Sequence, residues 1–268
     1  MIKKTFLILF VVLFLGMFAF STNDADASHS WGSYHWARKA NPFTLKLGDN
    51  MSSSWDAYLS QASSDWTASS ILDTTIVSGL GGRNCKSTTG RVEVCNRTYG
   101  NNGWLGIAQI WVSGSHITKG VSKMNDTYFN TAPYNTSAWK QFVVCQEIGH
   151  TFGLNHQNEN FNNTNLGTCM DYTSDPDGTL ADPDQLSNEH PNAHDYSQLE
   201  TIYTHLDAIN TSFSKKSPAI ASANDDIDVS DTKEWGKEVR KSKDGRSSLH
   251  ERDLGKGNKI FTFVIWAE

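Results

Sequence analysis

The most constraining stretch of the chain is the eleven-residue run Gln-Glu-Ile-Gly-His-Thr-Phe-Gly-Leu-Asn-His at positions 146 to 156. It closes a helical pattern that runs from about Ala138 to Phe152, in which Trp139, Phe142, Val143 and Gln146 share one side. Positions four apart on a helix lie on one face, so Gln146 and His150 point the same way. Glu147 reaches the same space at a slightly different angle. Gly153 lets the chain turn sharply, and His156 can then return to the site from outside the helix. Two imidazoles and a third donor on one side would hold a zinc ion with an open coordination position. A carboxylate that is not a ligand would then sit beside the bound water, as metal-assisted hydrolysis requires.

This run resembles the metzincin zinc-protease motif HExxHxxGxxH, with every fixed position matched except the first, where Gln146 stands for histidine. Cys169-Met170-Asp171-Tyr172 follows at a distance suited to that family's Met-turn, and Met-x-Tyr resembles the astacin and serralysin branches. Gly106-Ile107-Ala108 resembles the start of the edge strand that binds peptide, and Trp31 to Leu47 resembles the first strand region of matrixin-type enzymes. The resemblance covers roughly residues 30 to 210 and implies a secreted zinc endopeptidase. Gln146, His150 and His156 would be the metal ligands and Glu147 the general base. Tyr172 would steady the oxyanion, Met170 would form an apolar floor, and Gly106, Ile107 and Ala108 would align a peptide as an added strand. Glutamine is a neutral and poorer donor than imidazole. It either ligates weakly or stands back and leaves His150, His156 and Tyr172 to hold the metal. The alternative is a catalytically weak or inactive relative that binds metal or peptide in the same cleft.

The rest of the sequence reads as an α+β fold. Phe43 to Leu47 alternates as a half-buried strand. Trp55, Tyr58, Leu59, Ala62 and Trp66 have helical spacing behind Ser52, Ser53 and Ser54, any of which could cap that helix. Thr74 to Val77, Val92 to Val94 and Leu105 to Val112 read as strands, with Ile117 to Met124 a continuation or partner of the last. His194 to Leu206 gives a third helical pattern. These elements predict a metzincin-like catalytic domain over 28–213, with a twisted mixed sheet of four or five strands packed on an active-site helix and a backing helix. A linker (214–232) and a small C-terminal β extension (233–268), marked by the apolar run Ile260 to Trp266, would follow.

Lys3 and Lys4, the apolar run Phe6 to Phe20 and Ala25-Asp26-Ala27 have the layout of a signal peptide (1–27). The apolar run is shorter than the ~20 residues a spanning helix needs, so no stable membrane association is expected after cleavage. In an exported chain an even cysteine count suggests disulfides, here Cys85 with Cys95 and Cys145 with Cys169. The net charge of −6 argues against a nucleic-acid partner, and 38% apolar residues suffice for a core. The expected partner is a peptide or protein substrate of a monomeric enzyme. Asp175, Asp177, Asp182 and Asp184 could bind calcium, although their spacing fits no EF-hand loop and reads better as a solvated loop. His35 reads as packing beside Tyr34 and Trp36, His116 as a turn residue bordering the cleft, and His190, His194 and His205 as surface or core-edge residues.

Overall fold

A computed structural model describes residues 30–180, 184–212 and 230–268. The expected signal peptide and most of the expected linker lie outside these residues. The elements in chain order are β1 (His35–Trp36), β2 (Phe43–Asn50), α1 (Asp56–Thr67), β3 (Leu72–Ser78), β4 (Arg91–Arg97), β5 (Trp104–Ser113), β6 (His116–Asn125), α2 (Asp126–Phe129), α3 (Ser137–His150), α4 (Ala193–Ile202), β7 (Lys237–Lys241), β8 (Ser247–Gly255) and β9 (Asn258–Trp266).

One mixed sheet runs β3-β2-β4-β6-β5-β9-β8-β7, with β1 pairing β6 off that path. Strands β1 to β4 and β6 pair with one another in parallel, whereas β5 pairs β6 antiparallel and continues through β9, β8 and β7 as an antiparallel run. The expected four or five strands are thus corrected to nine. Strands β7 to β9 form no separate β unit, because β9 pairs along the whole of β5, from Trp104 opposite Trp266 to Ser113 opposite Asn258. That pairing explains the sequence of β5: a strand with neighbours on both sides and side chains buried on both faces needs no polar alternation. Leu105 and Ile110 enter the main core with α3. Trp104 and Ile107 pack on the other face with Trp235 and Val264.

α1 and α3 cover the core face. α1 forms at the expected positions, but none of the three serines caps it; Trp55 occupies the N-cap position, and its indole donates to Asp126 rather than capping the helix. Trp66, wholly buried, donates its indole hydrogen to the Cys145 carbonyl at 3.2 Å and so joins the two helices. α3 starts at Thr136, whose hydroxyl accepts from the Trp139 amide, and twelve of its fourteen residues are buried. Two disulfides are formed, Cys85–Cys95 and Cys145–Cys169, as the spacing predicts. No helix among the described residues is long and apolar enough to cross a membrane.

Candidate metal centre

α3 ends at His150, and the chain reverses at Gly153 (φ 100°). A side chain there would also strike the Tyr34 carbonyl, with an added Cβ only 2.4 Å from it. This turn brings His156 back, so that its Nε2 lies 2.8 Å from Nε2 of His150. The other nitrogen of each ring is committed. His150 Nδ1 donates to the Leu154 carbonyl at 2.8 Å, and His156 Nδ1 sits 3.2 Å from the Glu159 carboxylate. Neutral rings with those tautomers turn two lone pairs toward each other, an arrangement that calls for a proton or a cation between them. A second imidazole bond to a carbonyl or carboxylate is also the usual support of a metal-ligating histidine.

Gln146 lies one turn earlier on the same face. Its Nε2 donates to the Cys169 carbonyl at 2.9 Å, which fixes the amide orientation. Its Oε1 is buried with no hydrogen-bond partner among the described residues, as is Oε2 of Glu147. Buried polar atoms in native proteins are nearly always satisfied; Gln146 Oε1 and Glu147 Oε2 are two such orphans, on the same helix as His150. The donor set of one amide oxygen and two imidazoles fits zinc. Burial pushes the Glu147 carboxyl well above the usual carboxylate range. Burial, followed by the neighbouring His156, holds His150 well below the usual histidine range.

The Met-turn residues fall under this cluster. Met170 is wholly buried, and an added Cβ at Gly149 would come 2.8 Å from its sulfur and 2.7 Å from the Trp66 ring. The glycine therefore lets α3 sit directly on Met170. The Tyr172 ring lies 4.0 Å from that of His156 and stacks on Phe161. The Cys145–Cys169 bridge ties α3 to this turn.

Gly106 of β5 passes so close beneath α3 that an added Cβ would meet Val143 at 2.6 Å and the Glu147 carboxylate at 2.7 Å. Gly106 therefore lies against Glu147, and the expectation of an open edge at Gly106, Ile107 and Ala108 is corrected. Their outer side is occupied by Ile265, Val264 and Phe263 of β9. The Phe263 ring stacks on His150, with centroids 4.0 Å apart and planes 3° from parallel. Ser247 of β8 hydrogen-bonds the Tyr172 hydroxyl, whose pKa burial raises well above the usual tyrosine range. Arg240 of β7 reaches Glu159 at 3.0 Å. Gln146, Glu147, His150 and Tyr172 each expose about 1% or less of their surface and His156 7%. Phe263, Ser247 and Arg240 are the participants the sequence did not reveal. The apolar run Ile260 to Trp266 signalled burial, but not burial here.

The acidic loop does not gather. Asp175 accepts from the Thr179 and Leu180 amides and Asp177 from Thr179, while Asp182 lies outside the described residues. The sole group of three potential metal-ligating His, Cys, Asp or Glu side chains among the described residues is His35, His116 and Asp207, at the opposite end of β6.

No protein-family profile matches the chain, and no curated protein does. Among solved structures, it is similar to high choriolytic enzyme 1, a hatching enzyme zinc-protease from Oryzias latipes, the medaka fish. The identity is 11% and the TM-score 0.36, and the match covers 65% of this chain and 96% of that one. A likeness this distant leaves the functional reading to the side chains themselves.

Proposed function

We propose that the protein is an exported zinc-dependent endopeptidase whose described form is closed by its own C-terminal strands. The facing imidazoles of His150 and His156, beside the unsatisfied Gln146 oxygen and the buried Glu147, carry this reading. A zinc ion held by Gln146, His150 and His156 would polarise a scissile carbonyl and lower the pKa of a water molecule. Glu147 then takes the proton as water attacks and delivers it to the departing amine. Tyr172, released from Ser247, donates its hydroxyl hydrogen to the developing oxyanion. Gly106, Ile107 and Ala108 align the peptide main chain once β9 has left them. The substrate is a peptide or protein in an extended conformation.

A second reading has its own observation. With β9 paired to β5 and Phe263 laid on His150, the place of a peptide is filled. The ion would then be a structural element of a catalytically inactive protein.

The two are separated by comparing wild type with Phe263→Ala, each with and without Glu147→Ala, on an unstructured peptide while zinc content is measured. For the enzyme, Phe263→Ala hydrolyses the peptide faster than wild type, and adding Glu147→Ala lowers the rate by ~10²–10⁴ with zinc retained. Equal background rates in all four proteins, with zinc bound, would leave only the second reading.

A further inference from the structure

The cluster at the far end of β6 is independent of the peptidase reading. His35 of β1 lies directly opposite His116 of β6 in the parallel pair. Beyond α4 the chain returns with His205 and Asp207, and the Asp207 amide is fixed by the Arg38 carbonyl at 2.8 Å. Three imidazole Nε2 atoms converge on one carboxylate oxygen, Asp207 Oδ1: His116 at 3.1 Å, His35 at 3.4 Å and His205 at 3.5 Å. The His116 and His205 rings stand nearly perpendicular to that of His35, at centroid distances of 5.1 and 4.8 Å.

Ordinary hydrogen bonding accounts poorly for this arrangement. His35 Nδ1 lies 2.7 Å from the Ser33 carbonyl and must donate to it, so a neutral His35 presents a lone pair, not a hydrogen, to Asp207. The other Asp207 oxygen is already taken, by the Arg38 amide at 3.1 Å and the Arg38 guanidinium at 3.5 Å. A cation among the rings removes the conflict: each Nε2 becomes a donor atom, and the Nδ1 bond of His35 becomes the outer support typical of a ligating histidine.

We propose that His35, His116, His205 and Asp207 form a second zinc site, structural in character. His35, His116 and Asp207 bring ligand atoms within 4.8 Å of one another, and the exposed His205, 3.5 Å from the same carboxylate oxygen, would complete four positions of a closed tetrahedral shell by turning its ring inward; imidazole-rich sets favour zinc over calcium or magnesium. The ion would clip β1, the start of β6 and the segment following α4 into one unit. That segment leads to residue 212, after which the chain leaves the described residues. Exposure falls from His205 (59%) to His116 (28%) to His35 (2%), so the ion enters from the His205 side.

The test uses the full chain, with the first centre removed so that the second is counted alone. His150→Ala/His156→Ala is loaded with zinc chloride, passed through a desalting column, checked for folding by circular dichroism and assayed for zinc. One equivalent is expected. Adding His116→Ala and His205→Ala should bring it to none, and the thermal midpoint should stop responding to added zinc. Should the quadruple variant unfold, His205→Ala alone, at the most exposed ligand, should weaken zinc binding at least tenfold in the same background. No zinc in the first variant, or an unchanged equivalent after His116→Ala/His205→Ala, would overturn the proposal.

Discussion

Gln146 is where chemistry and local geometry meet most sharply. The Cys169 carbonyl holds its NH2 group and leaves Oε1 unpaired, the atom that would serve the proposed ion. Gln146→His restores an imidazole at the same helical position and should tighten zinc binding, whereas Gln146→Ala should weaken it; competition with a chromogenic chelator measures both. Turnover need not follow, since an amide withdraws less of the ion's Lewis acidity than imidazole does. Gly106 is the second sensitive position. An added methyl would meet Val143 and the Glu147 carboxylate, so Gly106→Ala should cost about 1–3 kcal/mol in urea unfolding. The residues of the 146–156 run were legible in the sequence because helical periodicity and one glycine turn set their relations locally. Phe263, Ser247 and Arg240 were not, since they arrive from about a hundred residues downstream through sheet pairing, for which no local pattern exists. The His35, His116, His205 and Asp207 cluster escaped for the same reason: apart from His205-x-Asp207 its members share no spacing.

Among the elements, α1, α3 and α4 and the strands β2 to β6 were readable from apolar spacing, within a few residues of their observed ends, whereas the two-residue β1 and the single-turn α2 were too short to leave a pattern. β9 was readable as a strand, but its partner was not, because a continuous apolar run states only that both faces are buried. α4 offers a pH test. Its capping box joins Asn192 and Asp195, and Tyr196 in its first turn donates to the Asp65 carbonyl at 2.8 Å. Burial first, then Asp65 and Asp195, push the Tyr196 phenol up to about 12. A phenol in the unfolded chain ionises near ~10. The stabilisation it brings is therefore complete below ~10 and is lost as pH rises through about 12. Phenolate absorbance should show a late-titrating component, at about 12, that is lost in Tyr196→Phe while the other buried tyrosines still titrate late, and that variant should lose less stability between these pH values than wild type. An identical stability decline in both proteins would show that the α4 anchor plays no part.

At the scale of the whole molecule, one long strand pairing joins the C-terminal strands to the rest, and two disulfides close local loops within residues 85–169. Cys145–Cys169 closes a loop of 24 residues in sequence, and Cys145→Ser/Cys169→Ser should lower stability by about 3 kcal/mol. Because the bridge also seats the Met-turn carbonyl that orients Gln146, zinc affinity should fall with it, measurable on the reduced-free double variant by dialysis. A protease that cuts between 213 and 229 should leave β7 to β9 in place, since nine residue pairs join β9 to β5. The nicked chain should therefore elute as one species in native chromatography and separate only in denaturant.

The position of β9 also sets an order of events in folding. Trp104 waits for Trp266, a partner about 160 residues further along the chain. Contacts so distant close late, because the entropy of ordering the intervening chain must be spent first. Until then β5 presents a long, flat, apolar edge of the kind that recruits strands from other molecules. A chain still emerging from its synthesis machinery passes through this stage with its centre uncovered. The same interval holds its greatest aggregation hazard and, under the proposed function, the freest access of zinc to His150, and the arrival of Phe263 ends both.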